Sequence, residues 1–197
     1  MDLREYQKIA RETAIYINIE NSRMIYPAIG LIGESGEVAE KIKKLIRDDG
    51  CNMSVSSPKI EPIRVSAIAK ELGDCCWYLA NVCCDTGLDL SMMYDMRGAS
   101  IIQQLRKLLL PQLVLHMNRH ASAVSESLEK WCYQYNCQLN AANEFPEMPN
   151  HLSHIIACIE EIAQRCGLTL KEIYVANIEN LRGRKQRGTL HGSGDNR

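Results

Sequence analysis

Glu34 and Glu37 in Gly-Glu-Ser-Gly-Glu, and Glu71 and Asp74 in Lys-Glu-Leu-Gly-Asp, are two carboxylate pairs with the same internal spacing of three. Residues three apart share one face of an α-helix, so each pair aims two acids the same way. Four acids that face one another repel, and a cation between them makes their convergence tolerable. An all-oxygen donor set suits Mg²⁺, with Mn²⁺ as the alternative, and does not suit zinc. Such an ion neutralises phosphate charge and lowers the pKa of bound water, so the pattern points to a magnesium site for phosphate chemistry. The competing reading is a solvated helix face, since acids three apart occur in many helices. Against it stand Gly33, Gly36 and Gly73. Each costs a helix roughly 1 kcal/mol relative to Ala, and close helix approach or ligand access is a reason to accept that cost.

The elements that carry these pairs read as helices throughout. Phe occurs once, strand-like alternation is absent, and the 3.6-residue period dominates, which makes the chain all-α, a helical bundle. Helices are expected near 2–20, 27–48, 64–86, 89–97, 100–117, 119–138, 150–166 and 170–186. Pro27 suits a first helical turn, Pro111 should kink or break the fifth helix, and residues 50–62 and 140–150 are the clearest loops. In the third helix Glu71, Asp74, Tyr78, Asn81 and Asp85 form a polar stripe opposite Ile68, Leu72, Cys75, Leu79 and Val82. That gives one site face and one core face.

A weak internal repeat accompanies this pattern. At an offset of 80 residues, Leu72, Gly87, Leu88, Leu90 and Tyr94 align with Leu152, Gly167, Leu168, Leu170 and Tyr174; at 86, Val38, Glu40, Ile42 and Lys44 align with Val124, Glu126, Leu128 and Lys130. The organisation expected is a half with the acids (1–97), a degenerate second half that completes the fold (98–181), and a basic Gly-rich tail (182–197). In the second copy Glu34, Glu37, Glu71 and Asp74 become His120, Ala123, His151 and His154. The three histidines either form a transition-metal site or, the reading preferred here, are surface or hydrogen-bonded side chains.

Composition narrows the partners. A formal net charge of −1 gives no reason to expect a nucleic-acid polymer or a membrane surface, yet Arg182, Arg184, Lys185, Arg187 and Arg197 face only Asp195 in the last sixteen residues, an excess suited to a small polyanion. No run of about 18 apolar residues occurs and the first residues lack signal-peptide character, so a cytoplasmic protein is expected. The nine cysteines lack Cys-x-x-Cys spacing and read as reduced core residues.

Three segments together resemble the MazG-like all-α nucleoside triphosphate pyrophosphohydrolases, relatives of the all-α dCTP and dUTP pyrophosphatases. They are Gly30-Leu-Ile-Gly-Glu-Ser-Gly-Glu-Val-Ala-Glu40, Lys70-Glu-Leu-Gly-Asp-Cys-Cys-Trp-Tyr-Leu-Ala80 with Gly87-Leu-Asp-Leu90, and the tail from Arg187 to Arg197. The resemblance covers about residues 1–97 and 168–197. It implies that Glu34, Glu37, Glu71 and Asp74 hold Mg²⁺. It also implies hydrolysis between the α and β phosphates to a nucleoside monophosphate and pyrophosphate, a house-cleaning reaction on the nucleotide pool. Glu34 or Glu37 is the expected general base. Asn177 matches a family Asn that meets nucleotide, while Asn180 stands where the family has Lys, so phosphate contacts would fall to Lys41, Lys44, Arg184, Arg187 or Arg197. Trp77, Tyr78 and Asn81 beside the acids are further candidates to meet substrate, with Trp77 as a core residue the competing reading. Family enzymes build sites with neighbouring subunits, so a homodimer is expected, although a fused second half could supply that neighbour within one chain.

Two other functions compete. A catalytically weak nucleotide-binding or regulatory protein would use the same pocket. A di-iron bundle would use Glu-x-x-His pairs, and none of the five histidines follows a Glu by three.

Overall fold

The computed structural model describes residues 1–18, 23–52, 54, 55, 58–135 and 145–189. Among them the regular elements are α1 (Leu3–Glu12), α2 (Ile25–Asp48), α3 (Pro62–Thr86), α4 (Leu90–Asp95), α5 (Gly98–Arg106), α6 (Leu110–Tyr135), α7 (Met148–Arg165) and α8 (Leu170–Gln186), with a 3₁₀ turn, Ile15–Asn18, after α1 and no strand. The chain is an all-α bundle. Among the described residues no helix is long and apolar enough to cross a membrane.

Local chemistry sets the helix ends. Asp2 accepts the Glu5 N–H at 2.9 Å and Asp89 accepts the Ser91 N–H at 2.7 Å, each cap contributing about 1 kcal/mol. Thr169 and Glu172 form a reciprocal capping box at the start of α8. Pro62 and Pro149 sit in first turns, where a missing N–H costs nothing.

Two expected boundaries are corrected. The helix expected over 2–20 ends at Glu12, because the Thr13 hydroxyl donates back to the Ala10 carbonyl at 2.8 Å and the chain turns to bring Tyr16 under α3. The helix expected over 100–117 does break near Pro111. The break falls at 107–109, and Pro111 occupies the first turn of α6, which then runs unbroken through the boundary expected near residue 118.

α2 lies between α3 and α6, α7 packs on α6 and reaches α3, α1 and α8 cover α3, and α4 and α5 rest on α7. One apolar cluster runs through both halves, joining Leu31, Val38, Leu72 and Leu79 to Met117, Val124, Leu152 and Ile159. Each fully buried aliphatic side chain contributes roughly 1.5–3 kcal/mol. Cys75, Cys76, Cys83 and Cys158 belong to this core as free thiols, and burial pushes Cys76 and Cys158 up to about 12, which leaves them unreactive.

The two helical hairpins repeat one another in burial. Along α2, Ala28, Leu31, Ser35, Val38, Ile42 and Leu45 are buried, and so are Val114, Met117, Ala121, Val124, Leu128 and Trp131 of α6, each 86 residues later. Along α3, Ile68, Leu72, Cys75, Leu79 and Val82 match the buried Met148, Leu152, Ile155, Ile159 and Ile162 of α7 at 80. The helix stops match as well. Gly87 (φ 71°) and Gly167 (φ 76°) adopt the left-handed conformation that Gly tolerates best, with Leu88 N–H to Cys83 O at 2.8 Å and Leu168 N–H to Ala163 O at 2.9 Å.

A buried polar network ties the start of α2 to the end of α3. The Asp85 carboxylate is fully buried, lies 2.7 Å from Arg11 Nη2, and accepts the Tyr16 hydroxyl at 2.9 Å and the Met24 N–H at 2.8 Å. Met24 has φ 64°, a conformation that strains a non-glycine residue by about 1–3 kcal/mol, so the carboxylate fixes a turn the chain would not choose unaided. Removing one partner of such a pair strands the other. Asp85→Ala should therefore lower unfolding free energy by about 3–5 kcal/mol in urea titrations, and a loss below about 1 kcal/mol would show that Arg11 and Met24 do not depend on it.

Candidate functional site

Three helix faces converge on one cleft. Tyr26, Gly30 and Glu34 fall four residues apart on α2; Lys70, Asp74 and Tyr78 repeat that spacing on α3, with Glu71 beside them; and Asn177, Leu181 and Arg184 follow on α8. Two glycines permit this approach. A Cβ on Gly30 would collide with the Tyr78 ring, and one on Gly73 would lie 3.1 Å from Asn177 Cβ. A Cβ on Gly33 or Gly36 would meet nothing within 4 Å, so these two serve no helix contact and leave the surface beside Glu34 and Glu37 open.

Glu34, Glu71 and Asp74 each bring a carboxylate oxygen within 4.8 Å of the other two. Glu71 is 3% exposed, and Lys41 Nζ lies 3.1 Å from its Oε1. Lys70 Nζ stands 3.5 Å from Glu71 and 3.8 Å from Asp74. Asn177 Nδ2 donates to Asp74 Oδ1 at 3.1 Å, while its own oxygen accepts the Tyr6 hydroxyl at 3.1 Å, which fixes the orientation of the amide. Burial, then the charges of Asp74 and Glu71, raise the Glu34 pKa from 4.5 to about 7, although Lys70 works in the opposite direction. The lysines therefore leave Glu34 without full compensation. Three hard oxygen donors with residual negative charge fit a divalent cation of the Mg²⁺ class, with further positions open to water or phosphate.

A cleft of about 520 Å³ between α3 and α8 is bordered by Lys70, Gly73, Asp74, Asn177, Leu181 and Arg184, within the range of small-molecule sites. A smaller one of about 100 Å³ is walled by Tyr26, Trp77 and Tyr78 over Glu34 and Asp74. Asp74, Leu181 and Arg184 border both, so an aromatic compartment and a cationic one meet at the acids.

Of the expected site residues, Glu34, Glu71 and Asp74 come together, with Lys41, Tyr78, Asn177 and Arg184 around them. Glu37 stands outside this triad, exposed, with its carboxylate 3.9 Å from Lys41. Trp77 packs against the core and also borders the smaller cleft. Its indole N–H donates to Thr13 Oγ1 at 2.8 Å, and edge-on packing to Tyr78 fixes the ring. Lys44 pairs with Glu40 at 3.4 Å, and Arg187 packs back towards Gly183 of its own helix. Arg197 and the Gly-Ser-Gly tail lie outside the described residues.

Asn81 is corrected. It is fully buried, donates to the Trp77 carbonyl at 3.0 Å and accepts from Arg11, with the Tyr16 hydroxyl 3.4 Å from its oxygen, so it braces α3 against the N-terminal segment and does not face the cleft. The polar stripe of α3 thus serves two purposes, a site at Glu71 and Asp74 and a buried network at Asn81 and Asp85. Lys70 and Tyr26 were not anticipated. The spacings 70, 74, 78 and 26, 30, 34 on the acid-bearing faces were the signal that could have found them.

No family model matches the chain, and no solved structure matches it. It is 37% identical over 82 residues to the Gene 37 protein of Mycobacterium phage L5, a similarity that takes in 39% of this chain and 65% of that protein. The chain thus spans less than two thirds of that relative's length.

Glu34 gives a pH signature. Its folded pKa, raised to about 7 from 4.5, means that the folded state holds a proton the unfolded state has released between those values. In chelator, the Glu34 contribution to stability should be complete below 4.5, be lost as pH rises towards 7 and level off above it. Glu34→Gln should remove that slope. Parallel profiles for the variant and the natural chain in thermal unfolding would mean that Glu34 is charged throughout.

Proposed function

We propose that this chain is a Mg²⁺-dependent nucleoside triphosphate pyrophosphohydrolase of the MazG-like kind, acting in the cytoplasm on the nucleotide pool. The observation that carries the reading is the convergence of Glu34, Glu71 and Asp74 beneath aromatic side chains, with Lys41, Lys70 and Arg184 close by.

Glu34, Glu71 and Asp74 would hold the ion, which when bound supplies neutralisation of phosphate oxygens and a more acidic water. The chain's own groups do the rest. Tyr26, Trp77 and Tyr78 offer ring faces and edges to a nucleobase. Lys41, Lys70 and Arg184 offer charge-assisted hydrogen bonds to the triphosphate. Glu37, exposed and 3.9 Å from Lys41, is the carboxylate assigned here to take a proton from the attacking water, Glu34 being the other candidate. The water oxygen bonds the α phosphorus, the bond from that phosphorus to the α–β bridging oxygen breaks, and pyrophosphate leaves. Asn177 acts through Asp74 as a positioning residue. The second hairpin packs on α2 from within the same chain, and the active species is proposed to be a homodimer.

A second reading, nucleotide binding without turnover, draws on Lys41 and Lys70, which already neutralise part of the acid charge. Product analysis separates the two. Canonical and modified nucleoside triphosphates with Mg²⁺ should yield pyrophosphate and monophosphate, Ca²⁺ should support the reaction poorly because its coordination is looser, and orthophosphate as the sole inorganic product would sink the proposal. Nucleotide binding with no product across the panel would favour the second reading. Glu37→Gln should cut kcat while leaving KM near its starting value. Arg184→Ala should raise KM by roughly 10-fold or more with a smaller effect on kcat, as a charged hydrogen bond made mainly to bound substrate would. The reverse split in either variant would exchange the roles assigned here.

A further inference from the structure

The second hairpin carries its own cluster of ligating side chains, of a different chemical kind. His116 and His120 are four apart on α6, His151 and His154 three apart on α7, so each pair shares a helix face, and the two helices pack together. Three of the four side chains converge, and His151 reaches the cluster through His120. One ring nitrogen each of His116, His120 and His154 lies within 4.8 Å of the others. His116 Nε2 is 3.1 Å from His154 Nδ1, and His120 Nδ1 is 2.9 Å from His151 Nδ1. Two nitrogens bound to one tetrahedral zinc ion at about 2.0–2.1 Å stand roughly 3.3 Å apart, so the His116–His154 pair already has nearly the separation of co-ligands. The preference for hydrogen-bonded histidines holds in part, since the rings do pair, but they pair with one another, and a fourth histidine joins the three the repeat had singled out.

We propose that His116, His120 and His154 form a binding site for one borderline transition-metal ion, Zn²⁺ foremost, which clamps α6 to α7, with His151 hydrogen-bonded to His120 beside it. The donor set is all imidazole, which suits Zn²⁺, Ni²⁺, Co²⁺ or Cu²⁺ and is a poor match for Mg²⁺. The positions are those of the acid site transposed. Offsets of 86 and 80 carry Glu34 to His120, Glu71 to His151 and Asp74 to His154, and burial along both hairpins repeats in the same register. The same backbone frame thus presents hard oxygen donors in one half and nitrogen donors in the other. Three protein ligands drawn from two helices leave one tetrahedral position to water, and the ion's role would be to hold α6 on α7. The surroundings keep the rings in the neutral form that binds metal. Burial first, then the neighbouring imidazoles and Arg119, lower His120 to about 3 and His154 to about 4, and burial and Arg119 lower His116. Arg119 also opposes a cation. Its Nη2 lies 2.9 Å from His120 Nε2 and can only donate, so Nε2 carries a lone pair that the guanidinium occupies.

The test is Zn²⁺ titration of the full chain, stripped with chelator, carrying no histidine tag and held in excess Mg²⁺, followed by calorimetry and thermal unfolding. One equivalent should bind and raise Tm. The His120→Gln/His154→Gln double variant should bind more than about 100-fold more weakly with its helical circular dichroism retained, Arg119→Ala should bind more tightly, and Asp74→Asn should bind as the natural chain does. Absence of a stoichiometric site in the natural chain, or affinity unchanged in the histidine variant, overturns the proposal, and so does loss of Zn²⁺ binding in Asp74→Asn, which would place the ion at the acids. If the histidine variant does not fold, the Co²⁺ spectrum of the natural chain decides. Intense d–d absorption of a tetrahedral nitrogen-ligated ion supports the site, and the weak absorption of a six-coordinate oxygen-ligated ion overturns it.

Discussion

The approach of α3 to its neighbours at two glycines is the constraint on which the cleft depends. Gly30 lets the Tyr78 ring lie against the α2 backbone, and Gly73 lets Asn177 of α8 reach the α3 backbone. Only at that separation can carboxylates from two different helices share a space of 4.8 Å and an amide from a third reach one of them. The acids do not draw the helices together, since like charges push them apart and desolvation adds to the cost. Apolar packing of Leu31, Val38, Leu72 and Leu79 beneath them supplies the opposing force, and the Glu34 pKa is raised first by burial and then by the charges of Asp74 and Glu71, with Lys70 offsetting part.

Much of this was legible in the sequence because it is local. Helix caps, proline positions, glycine stops and the apolar stripe of α3 are decided by neighbours within a turn or two, and Asp2, Asp89, Thr169, Gly87 and Gly167 fall where their chemistry puts them. The failures share a cause in long-range partners. Asn81 lies on the same stripe as Glu71 and Asp74, and nothing within one helix says that Arg11 and Tyr16, about 65–70 residues away in sequence, will claim it. Thr13 is a different case. Helical periodicity continues through that position, and the decision to turn rests on a side-chain hydroxyl that periodicity does not register.

Within the site, the sequence identified the acids and left their division of labour open. Glu34 and Glu37 are equivalent as letters at a spacing of three. The 100° advance per residue separates them by about 60° around α2, enough to turn one towards α3 and leave the other at the rim. That difference is set by the crossing of α2 over α3 and hence by side chains far from either acid. Lys70 illustrates the same point, since a lysine next to a glutamate in sequence points to a different face unless the crossing places the third helix over both.

The repeated burial register separates scaffold from chemistry. If apolar packing alone preserved the pattern at offsets of 86 and 80, the polar positions facing across each hairpin would be free to become any surface residue. Lysine, glutamate or serine would serve there at less cost than rings that must be desolvated together. Three of those positions hold histidine instead, and a fourth histidine one turn earlier on α6 stands where α2 has Gly30. In the first hairpin that turn must be bare to admit Tyr78, and in the second its counterpart Cys158 is too small to need the room, so a ring fits there and adds a nitrogen. The shape of each hairpin thus decides how many ligating groups it can seat, and side-chain chemistry decides which ion each would suit.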